Sequence, residues 1–179
     1  MIVMRRAILA LMTALVVAAA VVTTGGTARG SATVRLYFVS ASGSTLIPIA
    51  RIAPTATPRE VVSAILAGPN GVDRRKGAAS SVPRGVRLVR VISSGARASV
   101  ALQGSGLVRL STIPRLRVIA SLTYTLTGLP TIRSVRFTVN GLPWGVYNQN
   151  GRIIRDYRRG TLAHPWLTAC APADGCFTP

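Results

Sequence analysis

The chain has 179 residues, 22 of them basic and 4 acidic, with one histidine, two cysteines and a formal net charge of +18. That length argues against a large multi-domain enzyme, and a hydrophobic content of 49% argues against a disordered tail. The four acids, Glu60, Asp73, Asp156 and Asp174, are scattered, which argues against any site built on clustered carboxylates.

The N-terminus reads as an address. Arg5 and Arg6 precede an uncharged run from Ala7 to Val22, and small residues follow through Ala32. Positive, then apolar, then small is the order of a secretory signal. The run is 16 residues long, and a spanning helix needs about 20. Residues 1–32 are therefore read as a signal peptide, with small residues suiting cleavage after Ala28 or Ala32, or as a retained N-terminal anchor. No cysteine lies there, so no lipoprotein anchor is expected. Removal of residues 1–32 would take Arg5, Arg6 and Arg29 and lower the formal charge from +18 to +15.

Val34 to Val39 is β-branched and aromatic and predicts a strand. A turn at Ala41-Ser42-Gly43-Ser44 and a second strand from Thr45 to Ile52 complete a hairpin. Thr57-Pro58-Arg59-Glu60 predicts a helix start, with Thr57 as cap, Pro58 in the first turn and Glu60 reaching back. Val61, Val62, Ile65 and Leu66 supply its apolar face, and Gly68-Pro69 ends it. Asn70 to Gly85 reads as a loop carrying Arg74, Arg75 and Lys76. A second hairpin follows: Val86 to Ile92, with Val86, Leu88 and Val89 inward and Arg87 and Arg90 outward, then Ala96 to Leu102. A second helix starts at Ser111 or Thr112, continues through Leu116, Ile119, Ala120, Thr123, Tyr124 and Leu126, and stops at Gly128-Leu129-Pro130. Thr131 to Val139 predicts a strand, Asn140-Gly141 a tight turn, and Leu142 to Tyr147 a last short strand. The order β-β-α-β-β-α-β(β) predicts an α+β fold, with two helices on one face of a mixed or antiparallel sheet. Residues 33–147 form the domain, and residues 148–179 a basic extension, with Trp166 a docking anchor.

The sequence resembles the GerMN domain of bacterial envelope proteins, the sporulation and germination domain. Val34–Phe38 resembles its opening strand with a Leu-Tyr-Phe core, and Leu46–Arg51 its second strand. Leu66-Ala67-Gly68-Pro69 is similar to the Leu-x-Gly-Pro end of its helix, and Ser80-Ser81-Val82-Pro83-Arg84-Gly85 to the Ile-Pro-x-Gly segment before its third strand. Leu122–Leu126 with Thr125 resembles the Tyr-Thr-Leu end of its second helix, and Val139-Asn140-Gly141 its terminal strand and Asp-Gly turn. Asn140 departs from the Asp, and Val100-Ala101-Leu102 lacks an Asp often found there. The resemblance implies a non-enzymatic structural or binding module of the envelope, acting through protein–protein contact or self-association, with no catalytic residue and no cofactor.

The chemistry of the side chains agrees with that implication. His164, with Asp156 and Asp174, is the only candidate hydrolase set, and it lies outside the predicted scaffold. Gly104-Ser105-Gly106 lacks the lysine and spacing of a phosphate loop. Cys170 and Cys176 in an exported chain predict a disulfide, and with His164 they make an incomplete metal set. Nucleic acid is not expected as a partner: the arginines are dispersed and the aromatics few. Anionic wall polymers or lipid head groups would suit the charge. The candidate contacts are Arg74, Arg75 and Lys76 in the loop and Arg152, Arg155, Arg158 and Arg159 in the extension, each of which also reads as solvated surface charge.

Overall fold

The structure is a computed structural model and describes residues 31–53, 56–148, 150–162, 168–171 and 175–177. Residues 1–30 of the expected signal or anchor lie outside the described residues, as do His164, Trp166 and Asp174.

Strands β1 (Ala32–Ser40) and β2 (Thr45–Ala53) form the expected antiparallel hairpin. The first half of β1 alternates, but Leu36 to Val39 is buried on both faces. It can be, because β1 is an interior strand, with β2 on one side and the short β3 (Ala78–Ala79) on the other. Helix α1 (Pro58–Ala67) starts where the sequence places it: Thr57 and Glu60 close a reciprocal capping box, and Gly68 ends the helix at φ 81°.

The segment read as a loop contains a further helix, α2 (Gly71–Arg75), capped by the same device with Asn70 and Asp73. The second hairpin joins β4 (Arg87–Ser94) to β5 (Arg97–Gln103). Its register slips between Leu88 and Arg90, which leaves Val89 as a bulge, 53% exposed. That corrects the expectation of Val89 inward: one extra residue reverses the alternation.

After the single turn α3 (Ser105–Val108), helix α4 (Thr112–Leu126) crosses to β6 (Ser134–Val139), which runs parallel to β5. Eight of the fifteen residues of α4 are buried, six of them consecutive from Val118 to Thr123. A helix buried all round belongs in a core rather than on a surface, and α4 packs on β1, on β6 and on α1.

The α+β class holds, and the strands divide between two sheets: a mostly antiparallel one built on β1 and β2, and a mixed one in the order β4-β5-β6-β7. The last of these, β7 (Leu142–Pro143), is shorter than expected. Trp144, Gly145 and Val146 leave it and are buried. Two further strands, β8 (Thr168–Ala171) and β9 (Gly175–Phe177), extend the first sheet next to β2.

Residues 150–162 fold back on the second sheet. Tyr157 is fully buried and exchanges backbone hydrogen bonds with Val135 at 2.9 and 2.8 Å. Its hydroxyl accepts from the Val146 N–H at 2.8 Å, and its ring lies 5.8 Å from that of Phe137. Sequence reading looked for an anchor at Trp166; Tyr157 performs that role among the described residues.

Candidate functional site

Each carboxylate among the described residues has a structural contact. The Glu60 carboxylate accepts from the Thr57 N–H at 3.2 Å, which completes the cap of α1. Asp73 is buried and forms an ion pair with Arg51 of β2 while accepting from the Asn70 N–H at 3.0 Å. Burial pushes its carboxyl up, but Arg51, the Asn70 amide and Lys76 outweigh burial and hold it below the usual carboxylate range. Asp156 bridges Arg136 of β6 at 2.8 Å and Arg97 of β5 at 3.0 Å. The Arg136 hydrogen bond holds its carboxyl low against burial, helped by the charges of Arg136, Arg97 and Arg158. Among the described residues, no three of His, Cys, Asp and Glu gather as metal ligands.

The basic residues singled out from sequence fall on separate elements. Arg74, Arg75 and Lys76 lie exposed at the end of α2. Arg74 Nη1 donates to the Pro69 carbonyl at 2.8 Å, so only part of its donor fork is occupied. Arg152, Arg155 and Arg158 are exposed along the returning segment. Arg159 begins a 3₁₀ turn (Arg159–Leu162) and is engaged: it donates to Thr127 Oγ1 at 3.0 Å and to the Tyr124 carbonyl at 3.1 Å. Its guanidinium also lies 5.6 and 5.4 Å from the ring centroids of Tyr37 and Tyr124. A cation at the C-terminal end of α4 satisfies carbonyls that the helix leaves open. Cys170 lies directly opposite Cys176 in the β8–β9 register.

Segments that carry the resemblance meet in space. Leu66 to Pro69 and Val82 to Gly85 line one cleft of about 580 Å3, flanked by Arg74 and Arg84. Thr125 Oγ1 accepts from the buried Tyr37 N–H at 2.9 Å, and the Tyr124 and Tyr37 rings lie 5.5 Å apart. Asn140 takes a positive φ of 50° at the tight turn, and its side chain accepts from the Gly104 N–H at 3.1 Å. These motifs therefore join strands to helices and line a surface cleft.

The outer face of the second sheet carries Arg87 and Arg90, as the sequence predicts. Residues opposite each other in register share a face. Arg87 faces Gln103, Arg90 faces Ala101 and Ile92 faces Ser99, so these side chains point away from the core residues Val100 and Leu102. The bulge lets Arg87 and Arg90 share that face although three positions apart, and it exposes Val89, which simple alternation does not signal.

The family model Germane, described as sporulation and spore germination, matches residues 35–144. Two solved structures share the fold. The tandem GerMN domains of the sporulation protein GerM from Bacillus subtilis match at 17% identity and a TM-score of 0.58, over 74% of this chain and 48% of that one. The first GerMN domain of the same protein matches at 18% identity and a TM-score of 0.54, over 72% of this chain and 98% of that one. The chain thus spans about half the length of the tandem structure, in keeping with one domain of the pair. No curated protein matches the sequence.

Proposed function

The chain belongs to the Germane family of sporulation and spore germination, and on that premise we propose that it is an exported, non-enzymatic binding module of the bacterial cell envelope. It works through contact with envelope proteins or through self-association, needs no cofactor, and has no nucleic-acid partner. The observation that carries this reading is the occupation of the acids among the described residues: Glu60, Asp73 and Asp156 are tied into caps and ion pairs. General acid–base work needs a carboxylate or imidazole free to reach a substrate. Export rests on the N-terminal segment, as a cleaved signal or a retained anchor.

Two measurements test the reading together. A fusion of the full chain to a reporter active only outside the cytoplasm should be active, and cross-linking in intact envelopes should trap the chain in a discrete complex. A cytoplasmic product, or a chain that stays monomeric and uncross-linked, would reject it.

A second reading is favoured by the same occupation of acids. With the described carboxylates engaged internally, the exposed arginines of α2 and of the returning segment are left to a partner of opposite sign. An anionic wall polymer or lipid surface would serve. Such binding should weaken steeply as salt rises, because surface charges are screened within about 10 Å at 0.1 M. Salt-insensitive sedimentation with anionic vesicles would reject it.

A further inference from the structure

Strand β4 ends the second sheet, with β5 on one edge and no described strand on the other. Apart from its ladder with β5, no backbone hydrogen bond among the described residues involves it. It is eight residues long, and six of them are exposed. Val89 and Ile92 are 53% and 48% exposed beside that open edge. Leu88 and Val91, on the opposite face, are only half-buried against the core. Neither Arg87 nor Arg90 takes part in an ion pair among the described residues.

An open edge with apolar side chains is a template for another strand. A second copy of this chain is a poor occupant. Pairing β4 with β4 would set arginine near arginine, and like charges across a ladder destabilise it. Arginines and a bulge are devices that keep such an edge from pairing with its own kind. The same charges favour an acidic strand. A wall polymer would use the arginines but leave the unpaired amides and carbonyls of the edge without a role.

We propose that the β4 edge receives an extended acidic segment of a partner protein, added as the next strand of the second sheet. Its acidic residues lie on the face of Arg87 and Arg90, and its apolar residues lie on the face of Leu88 and Val91. This deepens the binding-module reading and rests on it.

The test uses the full chain and three probes: a ten-residue peptide alternating Asp and Val, the same composition with the aspartates and valines in separate blocks, and polyphosphate. Amide hydrogen exchange across β4 is the readout. The alternating peptide should slow exchange of β4 amides, and the other two probes should not. The Arg87→Glu/Arg90→Glu double variant should bind the alternating peptide about tenfold more weakly, the worth of two cross-strand charge pairs. It should gain affinity for a Lys-Val peptide, which a merely misfolded variant would not do. Equal binding of all three probes would overturn strand addition in favour of an anionic polymer. Absence of β4 protection up to the solubility of the peptide would also overturn it. Neither result touches the envelope complex that tests the broader reading.

Discussion

Asp73 and Glu60 do the same local job, closing a helix N-terminus, yet only one was legible in the sequence. Glu60 has its cap partner three residues away, inside a Thr-Pro-x-Glu pattern. Asp73 had the matching signal in Asn70-x-x-Asp73, but its charge partner Arg51 lies 22 positions away, beyond any local pattern. The same distance hid Asp156, whose partners sit on β5 and β6. Removing Arg51 strands a buried carboxylate. Arg51→Met should cost about 2 kcal/mol in denaturant unfolding, below the 3–5 of a fully buried pair, since the Arg51 side chain is 28% exposed. Tyr157→Phe leaves the Val146 N–H unpaired in a buried site, and should cost about 1–2 kcal/mol. Acid should act through Asp73 and Asp156. Both have folded carboxyl groups held below the usual range, so the unfolded chain binds protons first as pH falls. Their stabilisation is present above about pH 4, the unfolded value, and is lost as pH falls through the depressed folded values. Unfolding midpoints followed between pH 7 and pH 2 check this: Asp156→Asn should flatten the acid limb, and an unchanged limb would remove Asp156 from the account.

At the scale of elements, the hairpins and both long helices were legible because each is written in local terms: a Gly/Ser turn, a capping box, Gly-Pro stops. The division into two sheets was not legible, since it depends on α4 being buried from several sides by partners far apart in sequence. Val118 to Thr123 is a mix of apolar and small polar residues, and the small ones fit the core without showing as a hydrophobic stripe. The returning segment reads as an extension because its composition is polar and basic, yet Tyr157, Asp156 and Arg159 dock it on the domain. The β8–β9 hairpin gives the expected disulfide a backbone rationale. Residues directly opposite in an antiparallel pair have Cα atoms about 4.5–5.5 Å apart, within the span a disulfide bridges. The native chain should therefore resist alkylation at Cys170 and Cys176 until reduced, as read by mass spectrometry. Labelling of both thiols without reduction would remove the bridge.

For the molecule as a whole, the excess of positive charge opposes folding as well as inviting partners. A formal +18 with four acids means that most basic residues have no carboxylate to offset them, and self-repulsion destabilises a compact state. Among the described residues, ion pairs on Asp73 and Asp156 act against this. Salt screens both effects, so the sign of its influence shows which is larger. Partly exposed pairs are worth about 0–1 kcal/mol each, and the Asp73 pair is shielded from salt by burial. Repulsion among the many remaining cations is spread over the surface, where screening is effective. Repulsion should therefore win, and the melting temperature should rise as sodium chloride goes from about 0.01 to 0.5 M, as the Debye length shrinks from about 30 Å to a few ångströms. A polyanion such as polyphosphate should raise it at far lower ionic strength, because a ligand that prefers the folded surface stabilises by mass action. A melting temperature that falls with salt would show that the ion pairs outweigh the repulsion. The exposed arginines would then be held in favourable networks of the protein's own making, which would remove the charge argument for an acidic partner.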